Sequence, residues 1–304
     1  MIKCVMRAAV IALALFALTA CGSSSSPPHS SSTAPSSPSA GAAAFYVSVG
    51  DSYAAGFQAT ARGQGHTTRN GFAYQVVTLD ATRNLTLVNF GCAGATTVSA
   101  LTKPGCRHDL LGPGARPYDG QTQVAAASAF LRAHRGRVGL ITVILGGNDV
   151  TQCIGRSDAI TCVAGAVGTI RTNLTKITTQ LRAAAGPGVK IVGLTYPDVL
   201  LGDLLSKDAN ARSLATLSTT AFKSLINPAL QAAYAAAKAR FVDVTAATGG
   251  YGSLAATTKL PPYGTIPVPV AKICTLTFYC QYGDIHPRTT GYALIARLVV
   301  QAAG

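Results

Sequence analysis

Four short stretches carry residue types that together can cleave an acyl bond. Gly50-Asp51-Ser52 stands where an apolar run ends and a helical stretch, Ser52-Tyr53-Ala54-Ala55-Gly56, begins. A serine there projects from the carboxyl edge of a sheet, beside a helix N-terminus that favours developing negative charge. Alone, the tripeptide also fits a serine that caps a turn. Asn89-Phe90-Gly91-Cys92-Ala93-Gly94-Ala95-Thr96 follows a second apolar run. Its glycines let a backbone N–H approach a ligand with no Cβ in the way, although a plain strand-to-helix turn has the same composition. Gly146-Gly147-Asn148-Asp149 offers an Asn amide that can donate to an oxyanion or simply cap the next helix. Gly283-Asp284-Ile285-His286-Pro287 places an acid two residues before a histidine. The other histidines, His29, His66, His108 and His134, lie in polar stretches or at the end of a helical one. A hydroxyl nucleophile, an imidazole base, a carboxylate and N–H donors are the parts of nucleophilic acyl transfer.

Such parts work only if the chain brings them to one edge. Ala44–Gly50, Thr86–Phe90, Val138–Leu145, Val189–Tyr196 and Arg240–Val244 read as buried strands rich in β-branched residues. Between them, Gln121–His134, Cys162–Ala185 and Ala209–Ala239 read as helices, and a last helix runs from Arg288 to Ala302. Strands alternating with helices predict a parallel sheet covered on both faces, with its site outside the carboxyl ends of the strands. Ser52, Gly94, Asn148 and the Asp284/His286 pair each fall at a strand end or just before a helix. Gln58–Asn70, Thr102–Gly120 and Ala246–Phe278 read as long loops able to build a pocket.

The 304 residues are 48% hydrophobic and 12% charged, which fits a globular domain and excludes disorder over the whole length. The only long apolar run is N-terminal, so a multi-span membrane protein is excluded. All 11 acidic residues are Asp, and the chain contains neither Glu nor Trp. That removes H-E-x-x-H zinc proteases and Glu-dependent glycosidases. The net charge of +14 is scattered, with no run of five Lys or Arg. It fits a basic soluble surface, or attraction to an anionic membrane or cell-wall surface, and no nucleic-acid partner is expected.

Lys3 and Arg7 precede the apolar run Ala8–Ala20, which is too short to span a bilayer and suits the core of a signal peptide. Leu18-Thr19-Ala20-Cys21 resembles a bacterial lipobox, implying cleavage before Cys21 and a diacylglyceryl anchor on its thiol. The expected location is the outer face of the bacterial cell membrane, with plain secretion as the alternative. Residues 22–41 hold ten Ser and four Pro and read as a linker, with ends roughly 25 Å apart. The expected organisation is therefore signal 1–20, anchor and linker 21–41, and a domain over 42–304.

Cys4 falls in the signal segment. Six further cysteines remain: Cys92, Cys106, Cys153, Cys162, Cys274 and Cys280. An even number in an exported chain predicts three disulfides. Fifteen pairings are open, and the local couples 92–106, 153–162 and 274–280 are the expected ones. No C-x-x-C or paired Cys/His spacing favours a metal, and no cofactor is expected.

Together the four stretches resemble the SGNH hydrolases, the GDSL family of lipases and esterases, over nearly all of Ala44 to Gly304. The resemblance implies a three-layer α/β/α sandwich and a serine ester hydrolase working through an acyl-enzyme. Ser52 would be the nucleophile, His286 the general base and Asp284 its orienting acid. The oxyanion hole would come from the backbone N–H of Ser52, that of Gly94 and the Asn148 amide. Secreted actinobacterial lipases of the family are similar in having three sequential disulfides. Tyr53 replaces the usual Leu of G-D-S-L, a mild departure. The spacing Asp284-Ile285-His286 is one residue shorter than the usual D-x-x-H, and Gly283 occupies the usual acid position. Either Asp284 reaches the imidazole from one residue nearer, or a carbonyl near Tyr282 or Gly283 holds it. An α/β-hydrolase would need G-x-S-x-G, which Gly50-Asp51-Ser52-Tyr53-Ala54 does not supply. The expected substrate is a lipid or small acyl ester, acted on by a monomer. A carbohydrate or cell-wall acetylesterase is the rival within the enzyme class, and a non-catalytic lipid- or glycan-binding lipoprotein the rival outside it.

Overall fold

A computed structural model describes residues 44–304. The signal segment, Cys21 and the Ser/Pro linker lie outside the described residues. The chain begins with β1 (Ala44–Gly50), α1 (Ser52–Ala55), the hairpin β2 (Phe57–Ala61) and β3 (Gln64–Thr67), α2 (Phe72–Leu79) and β4 (Leu85–Asn89). It continues through α3 (Thr97–Thr102), α4 (Gln123–Ala133), β5 (Val138–Ile144), α5 (Gly147–Thr151), α6 (Ala159–Ala185) and β6 (Lys190–Leu194). Next come α7 (Ala209–Ala221), α8 (Asn227–Ala235), β7 (Arg240–Val242) and α9 (Val244–Ala247). The hairpin β8 (Thr257–Leu260) and β9 (Gly264–Pro267), α10 (Val268–Leu276), α11 (Tyr279–Tyr282) and α12 (Thr289–Ala303) complete it.

Five parallel strands form the central sheet in the order β4-β1-β5-β6-β7. Register is set by burial on both faces, because a slip of one residue would exchange the faces. Tyr46 of β1 sits beside Leu140 of β5, and Val47 beside Ile141. Tyr46, Leu140 and Ile144 join Phe72, Tyr292 and Val299 in a core under α2 and α12. Val47, Ile141 and Val143 point the other way, to Leu131, Leu174 and Tyr234 of α4, α6 and α8. This is the three-layer α/β/α sandwich. Gly193 of β6 is part of its packing: a Cβ there would strike the Tyr234 ring. That ring sends its hydroxyl to the carbonyls of Val143 and Leu194, both at 3.0 Å.

Two stretches read as loops carry regular structure. Gln58–Asn70 holds most of the β2–β3 hairpin, and Ala246–Phe278 holds the β8–β9 hairpin and α10. The strands of both hairpins are only four or five residues long, and β3 and β8 bury none of their residues, so no apolar alternation marks the hairpins. The helix read over Ala209–Ala239 is interrupted by a π turn, Phe222–Ile226, and ends at Ala235. Pro228 in the first turn of α8 has no N–H to continue the ladder, which accounts for the break.

Asp198, at the end of the loop after β6, is wholly buried. One carboxyl oxygen accepts from Ser218 at 2.8 Å and the other has no partner. Burial pushes its pKa up to about 7, against the opposing effect of the Ser218 hydroxyl. A folded pKa above the unfolded one gives stability that is full below about pH 4 and lost as pH rises through about 7. Asp198→Asn is therefore expected to gain on wild type by about 2–4 kcal/mol between pH 4 and 8. Paired urea titrations across that range check this, and a difference that does not change with pH contradicts it.

Candidate active site

All four stretches meet at the carboxyl edge of the sheet. Ser52 opens α1 directly after β1, because Asp51 caps that turn by accepting the Tyr53 N–H at 2.9 Å. Its Oγ lies 2.8 Å from His286 Nε2. On the far side of the ring, His286 Nδ1 lies 2.8 Å from Asp284 Oδ1, which also accepts the His286 backbone N–H at 2.9 Å. The carboxylate thus reaches the imidazole from two residues back, and no carbonyl of Tyr282 or Gly283 takes its place among the described residues. Gly283 caps α11 with φ +68°, a left-handed turn that a residue with a carboxylate side chain would hold only with strain. Burial alone would raise the Asp284 pKa, but the bonds and charge from His286 outweigh it and hold the carboxyl below its ordinary value. Asp284 therefore stays ionised at neutral pH.

The loop carrying this pair is held from the opposite side. The Tyr53 hydroxyl donates to the carbonyl of Ile285 at 2.7 Å, and the Phe57 ring centre lies 4.5 Å from that of His286. Tyr53 thus grips the middle residue of the short Asp284-Ile285-His286 segment. Asp51 is buried behind Ser52 and accepts the Tyr196 hydroxyl at 2.5 Å. Burial raises its pKa to about 6, with Tyr196 and the Tyr53 N–H pulling the other way.

Gly94 has φ +82° and open space where a Cβ would stand. Neither its backbone N–H nor that of Ser52 meets an acceptor among the described residues. Asn148 donates one amide hydrogen to the Ala95 carbonyl at 2.9 Å, which fixes the side chain and leaves its second hydrogen uncommitted. The neighbouring Asp149 accepts the Thr97 N–H at 2.9 Å and the Thr97 hydroxyl at 2.6 Å. That clamp ties the Gly94 loop to the Asn148 turn. Gln123 performs a similar task at the base of the site, donating to the carbonyls of Gly50 and Phe90, each at 2.7 Å. Sequence reading missed Asp51, Tyr53, Tyr196, Asp149 and Gln123. Tyr196 ends a predicted strand and Asp149 adjoins Asn148, so both carried a signal; Gln123, within a helix, carried none.

The cysteines pair as 92–106, 153–162 and 274–280. The first bridge lies in the Gly94 loop, the second joins the segment after α5 to α6, and the third joins α10 to α11. Asn148→Ala is expected to lower kcat about 10²- to 10³-fold with little change in KM, since an oxyanion donor matters most as charge develops. Steady-state kinetics on a soluble ester check this, and an unchanged kcat contradicts it.

A cavity of about 230 Å³ starts at Ser52 and Asn148 and runs among Val163, Ile170, Phe222 and Leu230. Its walls beyond the site are almost wholly apolar.

The sequence matches the GDSL-like lipase/acylhydrolase family over residues 48–294. Among solved structures, an acetylxylan esterase from Geobacillus stearothermophilus is similar at 16% identity, covering 86% of this chain and 94% of that one, with a TM-score of 0.48. A member of the lipolytic G-D-S-L family from Veillonella parvula is similar at 14% identity over 86% and 97%, with a TM-score of 0.45. No curated protein sequence matches the chain significantly.

Proposed function

Because the chain belongs to the GDSL-like lipase/acylhydrolase family, and so is a serine ester hydrolase, we propose that it cleaves esters of apolar acyl chains longer than acetyl. The observation that carries this reading is the cavity of about 230 Å³ leading from Ser52 between apolar walls. An acetyl group would leave most of that space unfilled, and a void forfeits the contacts its lining would otherwise make.

Ser52 Oγ attacks the ester carbonyl while His286 Nε2, 2.8 Å away, takes its proton. Asp284 holds the ring through Nδ1 and stabilises the imidazolium. The oxyanion accepts from the Ser52 and Gly94 backbone N–H groups and the free Asn148 hydrogen. His286 then protonates the leaving alcohol, and water, deprotonated in turn by His286, releases the acid from Ser52. The anchor at Cys21 and the division into signal, linker and domain are part of the same reading and rest on the N-terminal sequence.

A panel of p-nitrophenyl esters from acetyl to palmitoyl tests the substrate class, with acetylated xylan alongside. Each CH₂ transferred into an apolar site contributes about 0.8 kcal/mol, close to fourfold in kcat/KM. The expected profile rises at least about tenfold above acetyl before it levels off. A maximum at acetyl, with acetylated xylan as the better substrate, contradicts the reading and favours the acetylesterase.

A further inference from the structure

Large hydrophobic side chains stand exposed at few positions among the described residues, and five of them gather at one place. Ile154, Ile160, Leu214, Leu217 and Leu225 all line the cavity that leads to Ser52 while remaining open to water. Ile160, in the first turn of α6, is 77% exposed. Ile154 lies in the segment that the Cys153–Cys162 bridge closes onto that turn. Leu214 and Leu217 come from α7 and Leu225 from the π turn that follows it. An apolar patch of this kind, contributed by separate elements around one opening, marks an interaction surface.

The position of the opening decides the kind of partner. A protein seated on the rim would close the way to Ser52, whereas a lipid surface can pass an acyl chain through it. Charge points in the same direction. Residues 203–226 carry Lys207, Arg212 and Lys223 against Asp208 and the cavity-lining Asp203, an excess of cations on a chain whose net charge is +14. Nearby, Arg156 is paired with Asp158 at 2.7 Å and adds no net charge. Apolar side chains beside excess cations suit an anionic lipid surface.

We propose that this rim docks the enzyme on anionic lipid, with the five side chains entering the outer acyl layer and the cavity drawing its substrate chain directly from that layer. The proposal rests on the reading of the chain as an esterase of apolar acyl chains.

The test uses the chain from residue 21 onward, without the apolar signal run, with Cys21→Ser so that no anchor is attached and Ser52→Ala so that no ester is cleaved. Its partition onto phosphatidylglycerol vesicles is compared with that of the same protein carrying Ile160→Asp and Leu217→Asp. Partition is expected to fall at least tenfold. Leu79→Asp with Val98→Asp, at exposed apolar positions that do not line the cavity, should leave it within twofold. Phosphatidylcholine vesicles should bind the parent protein several-fold more weakly. Equal partition of parent and rim variant overturns the proposal, as does a loss of the same size from the Leu79 and Val98 changes. If the double variant fails to fold by circular dichroism, Ile160→Asp alone carries the test, because that side chain is mostly in water already. Hydrolysis of soluble p-nitrophenyl esters by the Ser52 enzyme reports separately on the esterase. Turnover without rim-dependent binding removes the docking surface alone, and rim-dependent binding without turnover removes the esterase reading instead.

Discussion

Ser52→Ala and His286→Ala are each expected to lower kcat on a soluble ester by on the order of 10⁵- to 10⁶-fold, and the two together by little more than either alone. The reason is geometric. Ser52 Oγ and His286 Nε2 are 2.8 Å apart and share one proton; without the imidazole the hydroxyl is a weak nucleophile, and without the hydroxyl the imidazole has nothing to activate. The double variant decides the matter. If the two losses multiplied, the groups would be acting independently and the pair would not be a unit. Neither side chain belongs to the packed hydrophobic core, and Ser52→Ala removes only one oxygen, so the melting temperature is expected to stay within a few degrees. Loss of fold would show first in circular dichroism.

Asp284→Asn is expected to cost about 10³-fold in kcat. In serine-protease triads the same change costs on the order of 10⁴, and there the acid is buried. Here the Asp284 side chain is 17% exposed, so water screens part of the charge that stabilises the imidazolium. The Asn oxygen can still accept the His286 backbone N–H, which keeps the loop in place and isolates the loss of charge. Asp284→Ala removes that anchor as well and is expected to cost several-fold more. Kinetics of both variants beside wild type check this. An Asp284→Asn enzyme within threefold of wild type contradicts a role for the carboxylate and leaves a Ser52–His286 dyad.

The sheet was legible because its strands are buried on both faces. Val138–Ile144 is apolar or β-branched at every position but Gly139, and its short length and β-branched residues favour a central strand over a buried helix. The positions of Ser52, Gly94 and Asn148 followed from the same logic, since each stands where an apolar run gives way to a turn, and that of His286 from its place just before the last helix. The hairpin at Phe57–Thr67 was not legible, as its residues are half-exposed and alternate weakly. Nor was the function of Tyr53. Read along the chain, it replaces a leucine at a position with no reacting group. In the fold its hydroxyl reaches Ile285, 232 residues away, and braces the segment that is one residue short. The two departures from the family pattern therefore meet in a single hydrogen bond, and neither explains the other until the chain is folded. The cavity was hidden for a similar reason. Its walls come from α5, α6, the loop after β6, α7, the π turn that follows it and α8, and no local window contains them together.

The most direct test of Ser52 as the activated nucleophile of an ester hydrolase is covalent capture. The full chain is treated with a fluorophosphonate carrying an alkyl tail, and the modified residue is identified by peptide mass. Stoichiometric label on Ser52 is expected, abolished by Ser52→Ala and slowed by His286→Ala. Folded enzyme that hydrolyses esters yet carries no label on Ser52, or carries it on another serine, would contradict the assignment.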